Sequence, residues 1–326
     1  MARRKKGRPI DGWLVLDKPV GITSTAALAR CRHAFDAQKA GHGGTLDPLA
    51  SGILPIAFGE ATKTVSFVMD GQKAYRFSVR WGVATETDDG EGAVCATSEV
   101  RPTADEIAAA LPEFHGVLRQ VPPRYSAIKV AGERAYDLAR EGLAPDLQPR
   151  EVEVRSLTLV GMPDADTAEF VAECGKGTYI RSLARDLALA LGTVGHVSAL
   201  RRTRCGPFAE ADAISLDKLL SLGHSAPSLG LLRSVATALD DIPALAVSED
   251  EARHLAHGQA LALLPILKRC PCPEAASAPA IRAMLGDRVV AIARAEAGRL
   301  KPVRVIHSSE NGDSGVDYAG TQAGTD

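Results

Sequence analysis

Apolar residues first gather at Trp13–Leu16, a run that stops at Asp17-Lys18-Pro19-Val20-Gly21, so a short strand running into a turn is expected. Thr23 or Ser24 is suited to cap a helix reaching about Phe35, with Ala27, Leu28, Cys31 and Phe35 on one face. A glycine-rich loop spans Gly41 to Gly52, a buried strand follows at Ile53–Phe58, and Ala61–Met69 reads as a helix. Lys73–Val83 alternates with period two: Tyr75, Phe77, Val79 and Trp81 share one face, and Arg76, Ser78 and Arg80 the other. An acidic, glycine-containing turn is expected at Thr85–Gly92 and a capped helix at Thr103–Phe114. Arg119–Arg155 is a basic, proline-containing block, overlapped by a strand at Val152–Val160 and followed by one at Thr167–Cys174. Gly175-Lys176-Gly177 turns into a helix, Thr178–Leu191, with an apolar face of Ile180, Leu183, Ala184, Leu187 and Leu191. A further strand covers Val194–Arg204.

Strands and helices mix here without a regular βαβ period, which favours an α+β fold over a doubly wound sheet. The expected organisation is a flexible basic arm over 1–10, a large domain over 11–240, a small domain over 241–307 and a disordered acidic tail over 308–326. The boundary is expected near Ala238–Pro243. The small unit has strand-like segments at Ala260–Leu264, Arg288–Arg294 and Val303–Ile306, and needs the larger one for stability.

Composition narrows the class. With 45% hydrophobic and 24% charged residues in 326, the chain is neither disordered, collagen-like nor a small disulfide scaffold. Its six cysteines include no Cys-x-x-Cys pair, and Cys270-Pro271-Cys272 has no second pair to complete a zinc site, so free thiols in a reducing cytoplasm are expected. No apolar stretch is long enough to span a bilayer; Ala260–Leu267 is the longest and contains Pro265. Net charge is −2, yet residues 176–204 hold six basic side chains against one acidic, a local patch that can serve nucleic acid.

The loop from Gly41 to Gly52 concentrates the chemistry. Four glycines in twelve residues point to unusual backbone conformations or close approach. A phosphate cradle is excluded, because no Gly-Lys-Ser/Thr is present and no third glycine completes a dinucleotide fingerprint. Asp47, followed by Pro48, reads equally as a helix cap or as a functional carboxylate. His42 reads as a turn histidine unless something else recruits it. Arg181 falls in the first turn of its helix, where the macrodipole disfavours a cation, and so asks for a nearby anion. Glu173, Asp186, a catalytic carboxylate and an RNA phosphate all remain open.

Taken together, four blocks carry a resemblance: Asp17-Lys18-Pro19-Val20-Gly21-Ile22-Thr23-Ser24, His42-Gly43-Gly44-Thr45-Leu46-Asp47-Pro48-Leu49-Ala50-Ser51-Gly52, Tyr125-Ser126-Ala127-Ile128-Lys129 and Lys176-Gly177-Thr178-Tyr179-Ile180-Arg181, with Leu200-Arg201-Arg202 closing the set. In this order they resemble the TruB family of pseudouridine synthases, over about residues 11–204 and more weakly to about 307. The resemblance implies the pseudouridine synthase fold: a mixed, largely antiparallel sheet with a central cleft, plus a small C-terminal domain similar to the PUA module. It implies isomerisation of uridine-55 in the T-loop of tRNA, with the base flipped out of its stack. Asp47 takes the place of the essential carboxylate, Arg181 of its cationic partner and Tyr75 of the residue stacking on the uracil. Tyr179 and Leu200 complete the pocket, and His42 fills the space the base vacates. Lys18, Lys129 and Arg202 match further substrate-binding positions, and Lys129, Arg134, Arg150, Arg201, Arg202 and Arg204 are candidate phosphate contacts.

The expected partner is therefore the T-stem-loop of tRNA, bound by a cytoplasmic monomer that uses no metal and no cofactor. Three rivals stand beside this reading: a guide-dependent H/ACA-type relative, an RNA-folding chaperone without catalysis, and a hydrolytic glycosidase. The last would want a second carboxylate, which the loop lacks.

Overall fold

The computed structural model describes residues 7–126, 128–130, 133–134, 147–223 and 230–307. Most of the expected basic arm, much of the 119–155 block and the whole acidic tail lie outside them. Up to residue 215 the strands are β1 (Gly12–Lys18), β2 (Ala40–His42), β3 (Ala50–Phe58), β4 (Lys73–Trp81), β5 (Val83–Thr85), β6 (Val94–Thr97), β7 (Gly116–Gln120), β8 (Lys129–Val130), β9 (Glu133–Arg134), β10 (Arg150–Asp164), β11 (Thr167–Cys174), β12 (Gly195–Cys205), β13 (Phe208–Ala209) and β14 (Ile214–Ser215). Ten of them form one sheet in the order β14-β1-β3-β12-β4-β11-β10-β7, with β2 added to β3 and β13 to β12. Only β1/β14 and β3/β12 pair parallel; the rest are antiparallel, the mixed sheet that was expected.

The sheet is central because β1 and β3 are buried and largely apolar on both faces. Leu14 and Leu16 of β1 join Phe77, Val79, Trp81, Phe170 and helices α1 (Ser24–Ala34) and α4 (Ile180–Ala190) in one core. Trp13 and Val15 face the other way, onto Ala61, Val68 and Phe208. The alternation along β4 is realised: Phe77, Val79 and Trp81 are buried while Arg76 and Arg80 are exposed. Thr23 caps α1 by accepting from the Ala26 amide, and Thr103 and Glu106 form a full capping box on α3 (Ala104–Ala110).

Several boundaries differ from expectation. The expected helix over 61–69 is a 3-10 turn, Gly59–Thr64, followed by α2 (Val65–Asp70). Thr62 and Thr64 donate their hydroxyls to the Gly59 and Ala61 carbonyls, offering the backbone an alternative to the helical ladder. The glycine loop is shorter than read, because Ala40–His42 pairs with β3 and β3 itself begins at Ala50. The acidic turn 85–92 joins β5 to β6, a hairpin too short to announce itself.

After α5 (Leu216–Ser221) the chain enters a second sheet: β15 (Ala244–Ala246), β16 (Leu261–Ala262), β17 (Ile281–Leu285), β18 (Arg288–Glu296) and β19 (Arg299–Val305), in the order β15-β17-β18-β19-β16. Helices α6 (Glu249–Ala256) and α7 (Leu263–Arg269) pack on it. The expected strand 260–264 yields to α7 after two residues, since Pro265 is tolerated in a helix's first turn. This small sheet leans on the large domain through Leu239, Val289, Ile292 and Ile306. The Lys63 ammonium donates to the Val305 carbonyl at 2.8 Å and Arg304 to the Lys63 carbonyl at 3.0 Å. Among the described residues no helix is long and apolar enough to cross a membrane.

Candidate active site

Residues 43–49 link β2 to β3, and their conformation is imposed from several directions. Ser24, the first residue of α1, donates its hydroxyl to the Leu46 carbonyl at 2.9 Å and accepts from the Leu46 amide at 2.8 Å. The Gly43 amide donates to Pro55 O and the Gly21 amide to Pro48 O, both at 2.8 Å. Arg202, on β12, is buried and donates to the carbonyls of Ile53 (2.7 Å), Gly44 (3.0 Å) and Thr45 (3.4 Å). Gly52 explains one glycine: at φ +100 its Cβ would lie 2.2 Å from the Arg202 carbonyl oxygen, so only glycine lets β3 and β12 approach. Removing the Ser24 hydroxyl strands two buried backbone groups. Ser24→Ala is expected to lower unfolding free energy by about 1–3 kcal/mol, read by urea denaturation.

Asp47 heads a turn closed by the Ala50 amide donating to its carbonyl at 3.1 Å. No helix follows, so the capping reading fails. Its carboxylate instead meets Arg181 across the sheet: Asp47 Oδ2 lies 2.9 Å from Arg181 Nη2, with the Asp47 side chain 35% exposed and that of Arg181 4%. The anion that Arg181 asks for is thus Asp47. Neither Glu173 nor Asp186 serves, since they pair with Arg204 and Arg185. Arg181 Nη2 also donates to Tyr125 O and Nη1 to Thr87 O, both at 2.9 Å, while Nε is buried without a partner among the described residues.

A second carboxylate completes the arrangement. Asp89 Oδ2 stands 3.2 Å from Arg181 Nη1 and is as buried as the arginine. Its Oδ1 accepts from Thr87 Oγ1 at 2.5 Å and from the Glu91 amide at 3.0 Å. Sequence reading saw only an acidic turn at 85–92; the threonines that bind Asp89 there were the available signal. Gln120 was missed too. It is buried and pins Tyr179 by accepting from its amide (2.8 Å) and donating to its carbonyl (3.1 Å).

The remaining candidates divide. Tyr75 sits half-buried on β4, in register with Arg202. Burial pushes its hydroxyl up to about 12, against the opposing pull of the Arg202 guanidinium, so it stays protonated at neutral pH. Tyr179 is the residue before α4. Its hydroxyl is raised, chiefly by burial and also by the Asp47 charge, against the pull of a hydrogen bond with Ser126. His42 is lowered by burial and by Arg202, and among the described residues its buried Nδ1 has no hydrogen-bond partner. Leu200, on β12 between Phe77 and Ala50, shares the core with Leu46.

Two of the expected substrate-binding cations are buried and occupied. Lys18 is fully buried, and its ammonium donates to the carbonyls of Pro19 and Ile22 at 2.9 Å and of Pro48 at 3.4 Å. Desolvation lowers it to about 8, with the Asp47 charge acting the other way. Arg202 is likewise buried. Both cations hold the loop that carries Asp47, because its inward-turned carbonyls need donors. Of the other basic candidates, Arg201 is engaged by Asp17 (2.9 and 3.0 Å) and Glu210, Arg204 by Glu173, and Arg150 is exposed at the start of β10. Lys129 and Arg134 face each other in the β8–β9 pair, their side chains lying outside the described residues. Among the described residues no three His, Cys, Asp or Glu side chains cluster to hold a metal ion.

Comparison with known proteins adds three findings. Residues 32–180 match the family model described as TruB family pseudouridylate synthase (N terminal domain), and residues 181–241 the one described as tRNA pseudouridylate synthase B C-terminal domain. A curated protein of Gluconacetobacter diazotrophicus, named tRNA pseudouridine synthase B, is 61% identical over 93% of this chain and 100% of its own length. One of the same name from Caulobacter vibrioides is 56% identical over 94% and 99%. The solved archaeal box H/ACA sRNP Nop10-Cbf5 complex contains a chain of like fold, with TM-score 0.69 and 24% identity, covering 94% of this chain and 93% of that one.

Proposed function

The chain belongs to the TruB family of pseudouridylate synthases, an isomerase that forms pseudouridine in tRNA, and from that premise we propose that it acts on uridine-55 in the T-loop with Asp47 as the essential catalytic group. The observation that carries this reading is the Asp47–Arg181 contact at 2.9 Å, which joins a buried guanidinium to a carboxylate that keeps a third of its surface open. A cation in contact with a carboxylate favours its ionised form.

The reaction breaks the C1′–N1 bond, turns the uracil and joins C1′ to C5; the C5 hydrogen leaves as a proton and N1 takes one up, so the product is an isomer of the substrate. No electrons are transferred and no water is consumed, so the chemistry asks for no cofactor or metal. It asks for one fixed negative charge beside the sugar and base. The uracil has to be extruded first, at a cost of a few kcal/mol that a pocket must offset. The Tyr75 ring, with a hydroxyl that stays protonated, and the Tyr179 ring are suited to hold a flat pyrimidine. Arg202 and Lys18 serve this reading by holding the loop. We place the reaction in the cytoplasm, with the protein acting as a monomer on the T-stem-loop.

The test is tritium release from C5-labelled uridine in an unmodified T-stem-loop, with purified protein alone. Stoichiometric release is expected. Release that appears only when a guide RNA and partner proteins are added would favour the H/ACA-type rival, and tight binding without release the chaperone.

A further inference from the structure

Helix α4 carries a second arginine, Arg185, four residues beyond Arg181 and on the same side of the helix. Its Nη1 lies 2.9 Å from Asp88 Oδ2, and its Nη2 donates to the Val121 carbonyl at 2.9 Å. Nε completes the set on Asp186 Oδ1, also at 2.9 Å. Arg181 grips the same two segments one turn earlier: Thr87 O and Asp89 in the 85–92 turn, and Tyr125 O after β7. Consecutive acids of one turn thus meet successive turns of one helix. The step between them is made possible by Asp88 itself, whose φ is 59. That left-handed conformation is unfavourable for an L residue and, glycine apart, is best tolerated by Asn and Asp. Burial pushes the Asp88 carboxyl up, against the pull of Arg185 and Arg181.

We propose that the Asp88–Arg185 pair is a positioning element for the reaction centre: it clamps the 85–92 turn and the segment after β7 onto α4, so that Arg181 presents Nη2 to Asp47 in one orientation. The inference rests on the reading of Asp47 and Arg181 given above. Arg181 divides its donors between Asp47 on one side and acceptors in the 85–92 turn on the other, so a shift of that turn rotates the guanidinium. Backbone bonds also hold the turn, the Val197 amide on Asp88 O at 3.1 Å among them, and so the pair refines the geometry and does not create it.

Three variants separate positioning from simple stability. Asp88→Asn keeps the shape and the left-handed backbone but removes the charge, Arg185→Gln removes the cation, and Arg185→Lys restores it. The first two are expected to slow single-turnover tritium release by about ten- to a hundredfold, the scale of a sub-ångström to ångström misplacement. The T-stem-loop Kd should stay within about threefold, and Arg185→Lys should recover most of the rate. In 15N-arginine NMR the Arg181 side-chain N–H groups should exchange faster in the first two variants, with α4 amides unchanged. Wild-type rates and wild-type exchange in Asp88→Asn and Arg185→Gln would overturn the proposal, as would losses that merely track a lowered melting temperature or a weakened Kd. If the wild-type protein releases no tritium, the functional reading fails, and the exchange data still decide whether the pair orients Arg181.

Discussion

Asp47→Asn is expected to abolish pseudouridine formation, slowing single-turnover tritium release at least about a thousandfold, or ~4 kcal/mol of barrier. The substitution is nearly isosteric. The asparagine carbonyl can still accept from Arg181 Nη2 in place of the carboxylate oxygen at 2.9 Å, so the turn closed by the Ala50 amide should persist. What disappears is the negative charge, the only property the reaction cannot draw from a neutral neighbour. Affinity for the T-stem-loop should stay within about tenfold, ~1.4 kcal/mol, measured by fluorescence anisotropy. Turnover near the wild-type rate would remove Asp47 from the chemistry and with it the central claim.

Arg181→Ala is expected to damage both stability and turnover. The arginine is 4% exposed and lies against two carboxylates, Asp47 at 2.9 Å and Asp89 at 3.2 Å. Its removal takes from buried Asp89 the cation it meets, and breaking a buried pair in this way costs about 3–5 kcal/mol. Urea unfolding should show that loss, and the Asp89→Asn/Arg181→Ala double variant should recover part of it, because the uncompensated charge is gone. Arg181→Lys separates the two roles. An ammonium keeps the charge but cannot span Thr87 O, Asp89, Tyr125 O and Asp47 as a planar fork does. It should regain much of the stability and little of the turnover. A defect confined to Kd in either variant would make Arg181 a phosphate contact instead.

The loop 43–49 shows how far sequence reading reached. Its residues, with the blocks around Lys18, Tyr125, Arg181 and Leu200, were enough to identify the family and single out Asp47. The same reading gave Lys18 and Arg202 as substrate-binding positions and did not see that both are buried, since an isolated cation in a sequence belongs in water by default. The carbonyls that bury them come from Pro19, Ile22, Pro48, Gly44, Thr45 and Ile53, and nothing in the local pattern around Arg202 announces partners so distant in the chain. Asp89 was hidden for a related reason: an acid in a turn satisfies every local rule, and only the arrival of α4 shows that it is buried.

Period and punctuation alone determined the long elements: the two-residue alternation of β4, the capped α1 and the apolar face of α4 follow from the spacing of apolar positions and the residues that end each run. The four glycines also pointed to unusual backbone conformations in the loop before β3, and the family resemblance singled out its Asp47. Tertiary structure decided which charges meet. Whether Arg181 pairs with Asp47, Glu173 or Asp186 depends on a sheet order, β3 beside β12 beside β4, that brings distant strands together. The energy of such a pair depends on burial, which is a property of the assembled layers and not of any local stretch of chain.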